Sequence, residues 1–372
     1  MAGTLFTYGA NATASPSFFQ GVDTIAYSPL DYTSPVTLTL SEAGTVDLTT
    51  QLQGRGVTLT AAAAGNAVTT SDGDDTVTGG LGVDTLDGGA GNDTIYAAPP
   101  GSDEAASDTL IGGAGNDTLV DYLGATTNMS GGAGNDTIRL GGPQNQVGPS
   151  ISGIIDGGAD LDRLEPVAAG SSAHVAPLRL QNLVISNVEV LDASAGVIAT
   201  ASQYQGFQSL VNAAGRTLTL ATAGSVQLGT QLAGQGVTFV GSTGNDRISL
   251  SGGADRIEAG EGDDTLIGLG GADQLLGGIG RDTVDYSGSL AAVTVNLALG
   301  TGSGGDAEGD TYGSIEAAIG SDFDDTFVAT AAPETFDGGA GSDTVSYEYS
   351  TAAVTIDLAT HSISGGYATG IR

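Results

Sequence analysis

Five consecutive units of nine residues fill residues 241–285. They read GSTGNDRIS, LSGGADRIE, AGEGDDTLI, GLGGADQLL and GGIGRDTVD. Every unit has Gly at position four, Asp at position six and an aliphatic residue at position eight. A short fixed period is typical of chains that stack one repeat on the next. The sequence therefore predicts a stacked fold rather than a compact globular one.

The residue types within one unit predict a turn followed by a short strand. Glycines allow a tight turn at little steric cost. Side chains of a strand alternate in direction, so the aliphatic residue at position eight is expected to point inward. If two units make one coil, residues one coil apart lie about 4.8 Å from each other in the strand-pairing direction. Asp246, Asp264 and Asp282 would then stack along one edge, and Asp255 and Asp273 along the other.

Carboxylates stacked at this spacing repel one another unless a cation lies between them. The chain has no Cys and only two His, so the available ligands are carboxylates and the carbonyls of the turns. Hard oxygen ligands of this kind favour calcium. The alternative is a metal-free β-solenoid in which each Asp only closes its turn.

Several other stretches repeat the unit more closely. They read GGAGNDTIY at 88–96, GGAGNDTLV at 112–120, GGAGNDTIR at 131–139 and GGAGSDTVS at 338–346. This pattern resembles the GGxGxDxUx nonapeptides of RTX (repeats-in-toxin) calcium-binding proteins. The resemblance implies an all-β chain, a right-handed parallel β-roll or β-solenoid whose turns bind several Ca²⁺ ions.

The candidate metal ligands are the position-six carboxylates of the matching units. They are Asp75, Asp84, Asp93, Asp117, Asp136, Asp246, Asp255, Asp264, Asp273, Asp282, Asp325 and Asp343. The units that hold Asp108 and Asp162 depart from the pattern, and we expect calcium there less than at the other positions. No cofactor-binding or catalytic residue is predicted.

The chain also repeats itself on a larger scale. Residues 38–59 match residues 218–239 at an offset of 180, which also relates Asp75 to Asp255. The segment after residue 285 is also similar to the C-terminal segment, at an offset of 61 residues. The predicted parts are 1–69 (an aromatic cap or assembly segment plus strands), 70–165 (a first roll), 166–240 (a metal-poor β-solenoid linker), 241–346 (a second roll) and 347–372 (a strand segment).

Composition excludes several classes of partner. The net charge is −34, and all nine basic residues are Arg. Binding to nucleic acid or to an anionic membrane needs clustered basic side chains, so neither is expected. No apolar run is long enough for membrane insertion. We expect instead a fold that requires its counterions.

The sequence predicts no enzyme. His174 and His361 belong to no HExxH motif, and no GxSxG motif occurs. The N-terminus has neither a basic region nor an apolar core of a signal peptide, so we expect secretion without such a leader. RTX proteins typically use type I secretion, which the resemblance implies, but the hydrophobic C-terminal residues of that signal are not found.

The predicted role is structural: a bacterial surface-layer, filament or adhesin subunit, outside the cell or on its surface, folded and assembled by calcium. Its partners would be further copies of itself, another surface protein or a glycan. One alternative is a virion decoration or host-attachment module. Another is the calcium-folding tail of a larger secreted enzyme.

Overall fold

The computed structural model describes residues 4–6, 12–20, 24–26, 36–52, 54–100, 102, 106–122, 126–141, 152–166, 177–351, 355–357 and 362–364. The chain divides into two compact units, Met1–Ala195 and Gly196–Arg372. Their boundary falls within the predicted linker 166–240. The finer five-part division stays a prediction.

The first unit consists of short strands and one short helix. Its strands are β1 (Thr4–Phe6), β2 (Ala12–Ala14), β3 (Thr24–Ala26), β4 (Val36–Leu40), β5 (Thr45–Asp47), β6 (Val57–Thr60), β7 (Ala67–Thr69), β8 (Thr76–Thr78), β9 (Thr85–Ala90), β10 (Thr94–Tyr96), β11 (Thr109–Ala114), β12 (Thr118–Asp121), β13 (Thr126–Ala133), β14 (Thr137–Leu140), β15 (Ser152–Ala159), β16 (Arg163–Pro166), β17 (Leu178–Arg179), β18 (Leu183–Ser186) and β19 (Val190–Asp192). Its helix, α1, spans Pro16–Gln20.

From β4 to β16, consecutive strands of the first unit alternate between two parallel sheets, whereas β1 and β3 pair with each other. One sheet has the order β2-β4-β6-β8-β10-β12-β14-β16-β19, and the other has the order β5-β7-β9-β11-β13-β15-β18. The strand pairs in both sheets are parallel. The chain therefore winds as a β-solenoid, with one strand of each coil in each sheet, and the predicted fold class is confirmed.

The second unit is built in the same way. Its strands are β20 (Val197–Ala199), β21 (Ser209–Val211), β22 (Thr217–Leu220), β23 (Ser225–Gln227), β24 (Thr238–Val240), β25 (Arg247–Ser249), β26 (Arg256–Glu261), β27 (Thr265–Ile267), β28 (Gln274–Ile279), β29 (Thr283–Asp285), β30 (Thr294–Asn296), β31 (Thr301–Ser303), β32 (Thr311–Gly313), β33 (Ala317–Ile319), β34 (Thr326–Val328), β35 (Thr335–Asp337), β36 (Thr344–Ser346), β37 (Thr355–Asp357) and β38 (Ser362–Ser364). Its helices are α2 (Ala201–Gly206), α3 (Gly229–Leu232) and a 3₁₀ turn at Gly305–Ala307.

An antiparallel hairpin, formed by β30 and β31, interrupts one of the two sheets of the second unit. The orders are β20-β22-β24-β26-β28-β32-β31-β30-β34-β36 and β23-β25-β27-β29-β33-β35. Pairing is parallel except where β31 lies antiparallel between β30 and β32. The hairpin of β37 and β38 repeats that of β30 and β31 at the predicted offset, because Thr355 pairs with Ser364 as Thr294 pairs with Ser303.

In the nonapeptide units the position-eight side chains form the centre of the core. Ile95, Leu119 and Leu266 are fully buried, and the residues on either side of Ile95 in its strand are half-buried. Burial of one such side chain contributes roughly 1.5–3 kcal/mol, so a column of them holds successive coils together. The prediction that position eight points inward is confirmed at these positions.

Two predicted segments are only partly described. In the aromatic N-terminal segment, Phe19 of α1 is buried against Phe18, while Tyr8, Tyr27 and Tyr32 lie outside the described residues. From residue 177 onward the predicted metal-poor linker forms strands and the helix α2, which the sequence analysis missed. Its signal was a capping box, in which Thr200 accepts from the N–H of Gln203.

Candidate metal centre

The position-six carboxylates form columns, as the repeat predicted. Each Oδ1 accepts a hydrogen bond from a backbone N–H one coil earlier, which in most cases belongs to the preceding Asp of the same column. The first column comprises Asp75, Asp93, Asp117, Asp136 and Asp162; the second Asp84 and Asp108; the third Asp246, Asp264 and Asp282; the fourth Asp255, Asp273 and Asp310. These N···O distances are 2.7–3.0 Å.

The remaining predicted residues form a shorter pair. Asp343 Oδ1 accepts from the N–H of Asp325 at 3.0 Å, and Asp325 Oδ1 accepts from the N–H of Val293 at 2.7 Å. Asp325 is buried, whereas Asp343 is exposed. The structure thus places all the predicted carboxylates in the turns, and it adds Asp108 and Asp162 to the same columns.

The second oxygen of these carboxylates divides the turns into two classes. In the turns that we call closed, Oδ2 accepts from the N–H of position two in the same unit. The closed turns are those of Asp75, Asp84, Asp246, Asp255 and Asp325, with N···O distances of 2.6–3.2 Å. Neither position two nor position four of these units has a positive φ. Both oxygen atoms of a closed-turn carboxylate thus accept a backbone N–H, and in some units a side chain donates as well, as Asn66 does to Asp84 Oδ1.

In the turns that we call open, Oδ2 is buried and has no hydrogen-bond partner. The buried open turns of the described residues are those of Asp93, Asp117, Asp136, Asp162, Asp264, Asp273 and Asp282. Both position two and position four have a positive φ in every one of these units. Glycine fills most of these positions, with φ between +92° and +146°, while Leu269 and Asp160 adopt +65° and +83°. The conformation of the turn therefore decides whether Oδ2 is bonded.

The turn of Asp343 has the open conformation, with Gly339 at φ +79° and Gly341 at φ +119°. Asp108 is not assigned to either class, because residues 103–105 of its unit lie outside the described residues.

A cradle of oxygen atoms lies beside position one of an open turn. A Cβ on Gly88 would collide with Asp93 Oδ2 and come within 2.8 Å of the carbonyl oxygen of Gly112, one coil later. The same pairing of a carboxylate and a carbonyl surrounds Gly112 of the next open turn, and it also surrounds Gly79 of a closed turn, where Oδ2 is already bonded. Because glycine leaves this space free, two oxygen atoms from adjacent coils face one small site. Such oxygen donors fit a calcium ion.

A cation at this cradle would depend on backbone carbonyls. Among the described residues, no cluster of three or more His, Cys, Asp or Glu side chains is close enough to hold a metal ion. Since calcium takes six to eight oxygen ligands, the turn carbonyls would supply those that the carboxylates lack. The donor set that the sequence predicted, carboxylates plus turn carbonyls, stays a prediction.

Burial raises the free energy of the ionised carboxylates in the columns when no cation is bound. The pKa values of Asp93, Asp136 and Asp273 are raised to about 7, mainly by removal from water and in smaller part by neighbouring carboxylates. Hydrogen bonds from the backbone partly oppose this shift. A positive ion between the coils would remove the repulsion.

Glutamate ends two of the columns, which the sequence analysis did not predict. Glu189 accepts from the N–H of Asp162, and Glu316 accepts from the N–H of Asp282, both at 2.9 Å. The residue two positions before each Glu has a left-handed backbone, with φ of +52° at Asn187 and +53° at Ser314. The signal was the shared pattern of Asn or Ser, an aliphatic residue and Glu.

The fourth column ends differently. Tyr286 donates from its hydroxyl to Asp310 Oδ2 at 2.6 Å, and the hydroxyl of Tyr312 lies 2.7 Å from that of Tyr286. The phenol thus occupies the oxygen that stays unpaired in open turns. An Asp-Thr pair outside the regular array was the only sequence signal for Asp310.

A second, outer ladder runs along position five. Asn92 Oδ1 accepts from the N–H of Asn116, and Asn116 Oδ1 accepts from that of Asn135, at 2.7–2.8 Å. In the second unit Asp263 Oδ1 accepts from the N–H of Arg281 at 2.9 Å. These bonds are exposed and run in the opposite direction to those of the columns.

The comparison with protein families agrees with this geometry. The model of the RTX calcium-binding nonapeptide repeat (four copies) matches residues 64–98, 104–125, 127–142, 238–266, 250–284 and 319–348. No curated protein matches the chain. None of the described helices is long and apolar enough to cross a membrane. The chain therefore contains several copies of the RTX calcium-binding nonapeptide repeat, in both of its units.

Proposed function

We propose that this chain is an extracellular calcium-binding protein with a structural role, as a subunit of a bacterial surface layer, filament or adhesin. One observation carries the proposal: the buried, unpaired Oδ2 atoms of the open turns, such as Asp93 and Asp117. A buried carboxylate without a partner is costly, and a calcium ion would offset that cost.

Calcium would act on folding rather than on a reaction. A ligand that binds the folded chain only stabilises it, and a metal site that forms with the fold couples the two events. Extracellular calcium modules have dissociation constants of about 10⁻⁴–10⁻³ M. Such affinities suit the calcium concentration outside cells, which is why we place the working protein there.

The carboxylates of the columns are unsuited to acid–base catalysis. Asp93 and Asp136 are buried, and the N–H of the preceding coil fixes the Oδ1 of each. His174 and His361 lie outside the described residues, so the absence of catalysis stays a prediction. Exposed sheet edges and the net charge of −34 favour calcium-mediated association with further copies, or with a surface protein or glycan.

Circular dichroism and light scattering during a calcium titration test this function. The chain is first stripped with EDTA, and magnesium serves as the control ion. We expect a cooperative gain of β signal at roughly 10⁻⁴–10⁻³ M calcium, with a parallel rise in scattering. A flat scattering signal would favour the attachment module over the assembling subunit. A chain that is fully folded in EDTA would refute calcium-dependent folding.

A further inference from the structure

The closed turns and the open turns occur side by side in the five-unit array. Asp255 is in a closed turn, and Asp264, nine residues later, is in an open one. Both carboxylates are nearly fully buried, and both Oδ1 atoms accept a backbone N–H. The two sites differ in what reaches Oδ2.

In a closed turn the backbone occupies the position that a cation would take. The N–H of Ser251 donates to Asp255 Oδ2 at 3.2 Å, and that of Ser242 donates to Asp246 Oδ2 at 2.7 Å. The positive end of an N–H dipole next to the oxygen satisfies its charge and repels a metal ion. The Oδ2 of a closed turn is therefore already paired and does not need calcium to offset its burial.

In an open turn the N–H of position two is bonded elsewhere or directed away. Gly89, with φ +92°, donates its N–H to Asp87 Oδ1 at 3.1 Å rather than to Asp93. Asp93 Oδ2 is left without a partner at a position that is 1% exposed. A positive φ at position two thus prepares the carboxylate for a cation.

We propose that calcium binds at the open turns and not at the closed ones. The carboxylates of Asp75, Asp84, Asp246, Asp255 and Asp325 then hold their turns through hydrogen bonds instead of metal. This inference rests on the proposed function, because it requires that the chain binds calcium at all. It narrows the candidate ligands that the nonapeptide pattern alone indicates.

Native mass spectrometry of the full chain in saturating calcium can count the bound ions. The matched variants are Asp264→Asn and Asp255→Asn, since each keeps an oxygen that can accept the N–H of the preceding coil. We expect Asp264→Asn to bind at least one ion fewer than the wild type and Asp255→Asn to bind the same number. Equal losses in both variants would overturn the division into two classes.

A third variant keeps the test decisive if Asp264→Asn does not fold. Asp117→Asn changes an open turn of the first unit, away from the five-unit array. We expect it to bind at least one ion fewer than the wild type and fewer than Asp255→Asn, with an unchanged β signal in circular dichroism. An unchanged count would overturn the inference. A wild-type chain that binds no calcium would refute the proposed function itself, whereas a loaded chain with equal losses would refute only the two classes.

Discussion

The first column and the third column meet the same structural requirement with different lengths of chain. Successive carboxylates of the first column are separated by 18, 24, 19 and 26 residues, and those of the third by 18 and 18. The N···O distances nevertheless stay at 2.7–3.0 Å in both. The geometry of the turns is therefore constant, whereas the length of the segments between strands varies.

The location of the extra residues explains this tolerance. Those of the first unit lie between β10 and β11, before β13, and between β14 and β15. None of these places falls in the turns of Asp93, Asp117, Asp136 and Asp162, which follow β9, β11, β13 and β15. Loop closure adds little free energy for a few extra residues, so the coils on either side still stack.

Calcium removal should produce the largest effect and distinguish the two units. The first column has four consecutive carboxylates with an unpaired Oδ2, whereas the third has two. In EDTA at pH 8 we expect loss of the β signal, and we expect amide protection to disappear first in the turns of residues 88–166. Hydrogen exchange with mass spectrometry measures this order.

Refilling with magnesium is the control for that experiment, because magnesium demands stricter geometry than calcium and gives up its water less readily. Protection that persists unchanged in EDTA in both units would contradict the role of the columns.

Shortening a core side chain should lower the free energy of unfolding by about the same amount in both units. Leu119 and Leu266 are fully buried at position eight, one beside an insertion and one in the regular array. Mutation of either to Ala is expected to lower the free energy of unfolding by about 2–5 kcal/mol in saturating calcium. Urea denaturation measures both changes. Leu290→Ala, at a side chain that is 90% exposed, is the control and should change stability by less than about 0.5 kcal/mol.

A markedly smaller cost at Leu119 would show that the insertions loosen the packing of the first unit. The similarity of the two units would then be limited to the turns.

The sequence predicted the columns and the core because both follow directly from the period. Position eight is buried in most units, although Val345 in the last unit is half-buried, and position six is stacked where the register continues. The pattern does not predict whether a given turn is open or closed. The unit at 79–87 begins GGLG and that at 88–96 begins GGAG, yet Asp84 is in a closed turn and Asp93 in an open one. Glycine tolerates either sign of φ, so its presence does not fix the conformation.

Other features depend on contacts between distant parts of the chain. Leu269 adopts φ +65° at a position where the pattern would place glycine. The hydrogen bond between Tyr286 and Asp310 joins residues that are 24 positions apart, one before and one after the hairpin of β30 and β31. Nothing in the local repeat specifies either of them.

Acid should partly replace calcium in the stripped protein. The pKa values of Asp93, Asp136 and Asp273 are raised to about 7 in the folded chain, against about 3.9 when unfolded. Carboxyls with raised values stabilise the fold fully below pH 4, and this contribution is lost as the pH rises towards 7. In EDTA we therefore expect a higher melting temperature at pH 5 than at pH 8.

Calcium-loaded protein is the control for the pH series, and its melting temperature should fall at pH 5 because protons compete with the metal. A melting temperature in EDTA that rises from pH 5 to pH 8 would contradict the burial of uncompensated carboxylates.

The outer ladder should contribute least to the stability of the fold, and by about the same amount in both units. Asn116 accepts from the N–H of Asn135, and Asp263 accepts from that of Arg281, both in exposed positions. Water can replace an exposed acceptor, so Asn116→Ala and Asp263→Ala should each lower stability by about 1 kcal/mol or less. The local readout is faster hydrogen exchange at the amides of Asn135 and Arg281. A loss as large as that of Leu119→Ala would mean that position five, rather than the core, holds neighbouring coils together.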